Sequence, residues 1–92
     1  MTPSFLVSAR RKRQTTDRIF DFLDEAERYD AMASRILAEP NKPTNWTVTL
    51  SHCRERAEEE RQWAAALAMG MGLDYDRVVR KHIRRNGKRY AK

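Results

Sequence analysis

The sequence predicts an all-α protein, built as a helical hairpin with a shorter third helix packed across it into a small three-helix bundle. Its composition is rich in Ala, Met, Glu and Arg, which favour helices. Two long segments repeat apolar residues at helical spacing. A short segment that starts at Pro40 joins them, and its length is typical of a connection between antiparallel helices. Leu, Ile, Val and Phe number only sixteen of the 92 residues, so we expect one domain with a thin core.

The first helix is expected to follow an extended, flexible and basic N-terminal arm. Residues 1–14 contain Pro3 and a run of four basic residues whose like charges repel one another. Thr15 or Thr16 can cap the helix that follows. Pro40 ends it, because the residue before a proline is pushed out of helical geometry. The predicted apolar stripe is Ile19, Leu23, Ala26, Tyr29, Ala33, Ile36 and Leu37, widened by Phe20, Phe22 and Met32.

The second segment begins ambiguously. Residues 46–50 alternate apolar and polar side chains and favour a strand, but they also start a helical stripe. We predict a helix from Asn45, as its cap, to Met69, because a lone strand would leave backbone groups unpaired. The stripe is Trp46, Leu50, Cys53, Ala57, Ala64, Leu67 and Met71. Glu60 falls inside it and is expected to pair with Arg56 one turn earlier.

A third helix is predicted directly after the second. Gly70 and Gly72 stop the second helix, and Asp74 caps the third, with Leu73 packed on Val78. The predicted inner face is Tyr75, Val78, Val79, His82 and Ile83, and the predicted outer face is Arg77, Arg80, Lys81, Arg84 and Arg85. Asn86-Gly87 is expected to end this helix. The helical domain then covers residues 15–87, followed by a basic tail, 88–92.

Charge is concentrated at the two ends of the chain. Residues 1–18 hold five basic residues and one acidic residue, a net charge of +4. Residues 74–92 hold eight basic and two acidic residues, a net charge of +6. The middle, 19–73, holds ten acidic and six basic residues, a net charge of −4. Basic ends attract polyanions and an acidic middle repels them, so this pattern orients the protein on a polyanion.

The basic residues of the two ends form the predicted nucleic-acid site. They are Arg77, Arg80, Lys81, Arg84, Arg85, Lys88 and Arg89 with Arg10, Arg11, Lys12 and Arg13. The predicted function is non-catalytic binding of DNA or RNA, and its most specific form is a small DNA-binding regulator that uses the C-terminal helix. Contacts between such residues and phosphates predict an affinity that falls steeply with salt.

The segment from Trp63 to Arg85 resembles a helix-turn-helix motif. That motif has a small residue where the two helices cross, a glycine in the turn, and a β-branched residue that points back from the second helix. Ala68, Gly72 and Val78 stand at spacings of four and six, which fit these three roles. Lys81 departs from the motif, which has an apolar residue three positions after Val78.

Two other interpretations use the same chain as an interaction protein. In the first, it is a small adaptor or inhibitor that docks on an acidic protein or a nucleoprotein complex. Its anchors would be Trp46, Trp63, Met69 and Met71, since Trp and Met are favoured at interfaces. In the second, the thin core is completed in a homodimer, because Ala57, Ala64 and Ala68 allow a second helix to approach closely. Sedimentation at micromolar concentration tests the homodimer.

The sequence argues against catalysis, a metal and a cofactor. His52 and Cys53 are adjacent and point about 100° apart on a helix, so they do not form a zinc site of ordinary spacing. Sets such as Ser51, His52 and Glu55 occur in any helical protein, and His82 fits a packed side chain. One cysteine fits a reducing, cytoplasmic location. No apolar run reaches the length of a membrane span.

Overall fold

The computed structural model describes residues 9–90, and within that range the backbone forms three helices and no strand. They are α1 (Ala9–Ala38), α2 (Trp46–Gly70) and α3 (Tyr75–Tyr90). Helices α1 and α2 pair as an antiparallel hairpin, and the shorter α3 packs on one end of it. The predicted all-α hairpin with a third helix is confirmed.

Helix α1 begins at Ala9, earlier than the predicted start at Thr15 or Thr16. The hydroxyls of Thr15 and Thr16 donate to the carbonyls of Arg11 and Lys12, each at 2.9 Å. Those carbonyls lie four residues earlier, so both threonines sit inside the helix and cap nothing. Part of the predicted arm, 9–14, is therefore helical, because Ala, Arg, Lys and Gln propagate a helix well despite their like charges. The rest of that arm lies outside the described residues.

The ambiguous segment 46–50 is helical, as predicted. Asn45 occupies the cap position of α2 in a left-handed conformation, with φ of 64°, and its side chain makes no capping hydrogen bond. Its backbone carbonyl accepts hydrogen bonds from the amides of Val48 and Thr49 at 3.1 Å. The turn that enters α2 is therefore closed by backbone groups and not by the asparagine side chain.

The turn from α2 to α3 is a Schellman motif, a helix ending closed by two backbone hydrogen bonds. The amide of Leu73 donates to the carbonyl of Ala68 at 2.8 Å, and that of Gly72 donates to Met69 at 3.1 Å. Gly72 has a φ of +68°, a conformation that other residues adopt at a cost. Leu73 then packs on the apolar cluster that contains Ala68 and Val78. The turn thus fixes the direction in which α3 leaves the hairpin.

Helix α3 continues past its predicted end. Asn86 is buried and bonded to α1, so it keeps helical geometry and does not form a left-handed cap. Gly87 also remains helical, and the helix runs to Tyr90. At the start of α3, Asp74 accepts a hydrogen bond from the amide of Arg77 at 3.4 Å, which confirms the predicted cap. The predicted basic tail is helical over 88–90, and its last two residues lie outside the described range.

The core is thin and built largely from alanine, as the low apolar content predicted. Five of the ten buried apolar residues are alanines, which let the paired helices approach closely. The cluster beneath α3 is Ile19, Leu23, Ala64, Ala68 and Val78, and a second cluster further along the hairpin is Ala33, Leu50 and Cys53. Met32 and Leu37, which the predicted stripe of α1 included, are 41% and 48% exposed.

Glu60 is a buried carboxylate inside the hairpin, and it pairs with Arg56 as predicted. Its Oε1 lies 3.0 Å from Arg56 Nη2, and the Glu60 side chain is 7% exposed. The Arg56 guanidinium also lies over the rings of Tyr29 and Trp63, at 5.6 and 5.3 Å from their centroids. The pair therefore has a structural role that satisfies the buried charge of Glu60.

We expect the truncation of a buried aliphatic side chain to reduce the stability of the protein more than the truncation of an exposed one. Ile19 is fully buried, so Ile19→Val should lower the free energy of unfolding by about 0.5–1.5 kcal/mol. Val48 is 67% exposed, so Val48→Ala should change it by less than about 0.5 kcal/mol. Urea unfolding followed by circular dichroism measures both, and equal midpoints for the two variants would contradict the assigned core.

Candidate nucleic-acid interface

A polar cluster holds α3 against α1. It consists of Asp24 and Glu27 of α1 with His82, Arg85 and Asn86 of α3, and we call it the docking cluster. His82 Nε2 lies 2.7 Å from Asp24 Oδ1, and Arg85 Nη2 lies 2.9 and 2.8 Å from the two Asp24 oxygens. Asn86 Nδ2 donates to Glu27 Oε2 at 3.0 Å. His82 is 3% exposed, and its burial is tolerated because its polar atoms have partners.

The ring of Phe20 completes the docking cluster from the α1 side. The Arg85 guanidinium carbon lies 4.7 Å from the centroid of this ring, and the His82 ring centroid lies 5.5 Å from it. A guanidinium above an aromatic ring is attracted to it while its N–H groups bind a carboxylate. Arg85 is therefore fixed by two contacts within the fold.

The docking cluster keeps Asp24 ionised. Burial raises the pKa of its carboxyl group, but its hydrogen bonds with His82 and Arg85 and the positive charge of Arg85 outweigh burial. The pKa of Asp24 is therefore lower than its ordinary value of 3.8. The Asp24 carboxylate is therefore ionised at neutral pH, the form in which it binds Arg85 of α3.

This contact sets which face of α3 points outward. His82 lies at the centre of the buried face, because Val78 and Asn86, four residues before and after it, are also buried. Arg85, three residues after His82, falls at the edge of the same face. Ile83 turns about 100° away from His82 and is 61% exposed. The inward placement predicted for Ile83 and the outward placement predicted for Arg85 were both wrong.

Four predicted site residues of α3 are exposed on its outer side: Arg77, Arg80, Lys81 and Arg84. Arg80, Ile83 and Arg84 line a shallow depression on that side. Lys88 and Arg89 belong to the last turn of the same helix. The outer side of α3 therefore presents at least four cations around one apolar side chain.

The first turns of α1 lie beside the start of α3. A groove between them is lined by Thr16 from α1 and by Arg77 and Lys81 from α3, with residues 72–74 of the turn and Val78 at its floor. Lys12 lies on the same face of α1 as Thr16, one turn or about 5.4 Å earlier. Arg10, Arg11, Lys12 and Arg13 are all exposed. The Arg10–Arg13 run thus lies within two helical turns of a groove that α1 shares with the start of α3, although the two segments are more than sixty residues apart in sequence.

The four predicted protein-binding anchors do not share one patch. Trp46 is half-buried at one end of α2, with Lys42 over its ring, and Trp63 lies about 25 Å further along the helix axis. Met69 is 77% exposed, and Met71 is half-buried in the turn. Trp63 is 46% exposed and its ring meets Phe22 edge-on. Trp46 and Met71 are half-buried and Trp46 is far from the other three along α2, so the four side chains do not form one exposed patch.

One group of side chains in the described part of the chain has metal-ligand geometry. Ligand atoms of Asp24, Glu27 and His82 lie within 4.8 Å of one another. The Arg85 guanidinium already binds the Asp24 carboxylate, and a metal cation would have to displace it. The residues therefore fit an internal ion pair better than a metal centre.

The sequence analysis missed Asp24, Glu27 and Asn86. Their signal is present but weak: two acidic residues stand three apart on α1, and His82, Arg85 and Asn86 stand three and four apart on α3. Helical spacing shows that each set shares a face. The pairing of the two faces is a tertiary contact between residues about sixty positions apart.

Comparison with models of known protein families, with curated proteins and with solved structures finds no match to this chain. Across residues 9–90, none of the three helices has the length and apolar character needed to cross a bilayer.

The docking cluster predicts that Asp24→Asn destabilises the protein at neutral pH more than Asp21→Asn, since Asp21 is an exposed carboxylate one turn earlier. Because the pKa of Asp24 is lowered on folding, its ionised form stabilises the fold above about pH 3.8. That stabilisation is lost as the pH falls through the lower pKa of the folded state. Urea unfolding at neutral pH and well below pH 3.8 measures it. A difference between the Asp24→Asn variant and the parent that stays constant with pH would contradict the assignment.

Proposed function

We propose that this protein acts by binding nucleic acid, without catalysis, through a surface formed jointly by α3 and the start of α1. The observation that carries the proposal is the groove lined by Thr16 of α1 and by Arg77 and Lys81 of α3, because the exposed Arg10–Arg13 run precedes Thr16 within two turns of the same helix. A single basic helix is common on protein surfaces. A second basic segment near the start of that helix would give phosphates a larger target.

The acidic side chains of the hairpin support binding of a polyanion at the basic end of the protein. Asp17 and Asp21 are exposed nearer the basic end of the hairpin, whereas Glu25, Asp30, Glu58 and Glu59 have exposed or half-exposed side chains further along it. A polyanion is repelled from that part of the hairpin and attracted to the basic end. One predicted contact changes in this proposal. Arg85 binds Asp24 and is a positioning residue for α3, whereas the exposed Arg80 and Arg84 are available to phosphates.

The alternative, an adaptor that docks on another protein, has less support. Its four anchors are spread over separate parts of α2 and the following turn, whereas protein interfaces concentrate their binding energy in a central cluster. The alternative becomes the leading explanation if the protein fails to bind nucleic acid at low salt. Trp46 and Trp63 are then the first residues to truncate.

The proposal is tested with two double variants that change the net charge equally. Arg80→Glu with Arg84→Glu removes cations from the outer side of α3, and Arg35→Glu with Arg54→Glu removes exposed cations from the hairpin. Fluorescence anisotropy with random-sequence DNA and RNA, between about 50 and 200 mM salt, gives the affinity and its salt dependence. We expect the α3 variant to bind more weakly, with a log–log salt slope reduced by about 0.9 per lost phosphate contact. The hairpin variant should retain a slope close to that of the parent.

Circular dichroism of both variants controls for folding, since all four arginines are exposed and their replacement should leave helicity unchanged. Equal losses for the two variants would show that only total charge matters, which contradicts a defined surface. Absence of binding by the parent at low salt would refute the proposed function.

A further inference from the structure

We infer that the nucleic acid bound by this surface is duplex DNA, with the outer side of α3 inserted in the major groove; the inference rests on the function proposed above. Three features of the described residues carry it: the dimensions of α3, the kinds of side chain that its outer side exposes, and the orientation of α3 set by the turn and the docking cluster.

The shape of the surface favours a wide groove. Helix α3 has 16 residues, so it is about 24 Å long, and with side chains it is about 10–12 Å across. The major groove of B-DNA is about 12 Å wide and admits such a helix. The major groove of duplex RNA is too narrow and deep for side chains to read. A helix of these dimensions is therefore suited to the major groove of duplex DNA.

The exposed side chains argue against a single strand. Proteins that hold single-stranded nucleic acid stack its bases on aromatic rings. From Asp76 to Gly87, the outer side of α3 exposes four cations, Asp76 and Ile83, and no aromatic ring. Phe20 is half-buried beneath Arg85, and Trp63 lies on the hairpin against Phe22 and Arg56. Within residues 9–87, the basic surface offers cationic and alkyl groups without a stacking platform.

Ile83 has no role in the core that explains its place. It is 61% exposed and lies between Arg80 and Arg84 in the shallow depression. In a major groove, arginines bind guanine or phosphate, and an alkyl group contacts the methyl group of thymine. An isoleucine flanked by two arginines therefore matches the mixture of groups that a major groove presents.

The position of α3 in the fold fits this docking. Ala68 and Val78 are buried where α2 and α3 meet, and Gly72 has the positive φ that the turn requires. These are the three roles that the resemblance to a helix-turn-helix motif predicted for them. In that motif, the outer side of the second helix is open to DNA. On one flank, Lys81 lines the groove that α3 shares with Thr16 of α1, and Lys12 precedes Thr16 by one turn of that helix. In the inferred complex, this flank meets the phosphates that border the major groove.

Four probes of one sequence and about two helical turns in length test the inference: duplex DNA, its single strand, duplex RNA and single-stranded RNA. We expect the full chain to bind duplex DNA at least about tenfold more tightly than the others at moderate salt. Methyl green, which occupies the major groove, should displace the protein from the duplex.

A comparison of duplexes with and without the methyl groups of thymine tests the role of Ile83. An alternating A·T duplex is compared with the same duplex in which uracil replaces thymine, so that only the C5 methyl groups are removed. The parent should bind the uracil duplex severalfold more weakly, and Ile83→Ala should lose that preference. Val48→Ala, an equally exposed aliphatic residue on the hairpin, is the matched control and should keep it.

Equal affinity for all four probes, or a preference for RNA or a single strand, would overturn the inference while leaving the proposed function intact. Persistence of the duplex complex in methyl green, or equal methyl dependence of the parent and Ile83→Ala, would also overturn it. Binding to none of the four probes at low salt would refute the proposed function itself.

Discussion

The contact of Asp24 with His82 and Arg85 is the constraint on which the surface of this protein depends. Helix α3 brings little apolar material to the core: Val78 is its buried apolar residue, with Tyr75 and Val79 partly buried beside it. Such a helix can turn about its own axis at little hydrophobic cost. The docking cluster removes that freedom, because a carboxylate with a lowered pKa holds two residues of α3 in fixed positions.

The orientation of α3 about its own axis, which the docking cluster fixes, determines which side chains lie on its outer side. With His82 directed at α1, Arg77, Arg80 and Arg84 point to solvent and Ile83 joins them. The docking cluster therefore converts a helix with basic residues on most of its circumference into one with a defined basic side. The same cluster binds Arg85, whose side chain is 33% exposed, to Asp24, so fewer cations of α3 are available to a ligand than the sequence count implies.

The sequence predicted the architecture better than the details of the site. Apolar spacing, Pro40 and the two glycines of the turn specify three helices, because each of these signals is local. The register of α3 is not local. Ile83 and Arg85 were assigned to the wrong faces because hydrophobicity alone was used, and a polar contact between distant residues decided the outcome.

The predicted start of α1 and the predicted end of α3 were wrong for a related reason. Thr15 is a favourable cap in isolation, but the residues before it propagate a helix and its hydroxyl bonds back to Arg11. Asn86-Gly87 is a favourable stop, but Asn86 is bound to Glu27 and remains helical. The helical start of α1 and its groove with α3 could not be predicted, because they require helix propagation before Thr15 and the packing of α3 along α1.

We propose that the start of α1 and the outer side of α3 form one binding surface. Backbone amide NMR spectra recorded during titration with a DNA duplex test this surface, because each residue reports separately. We expect the shifts to concentrate at residues 9–16 and 74–87 and to be small around the opposite end of the hairpin, near Trp46 and Leu50. Shifts confined to α3 alone, or centred on Trp46 or Trp63, would contradict it.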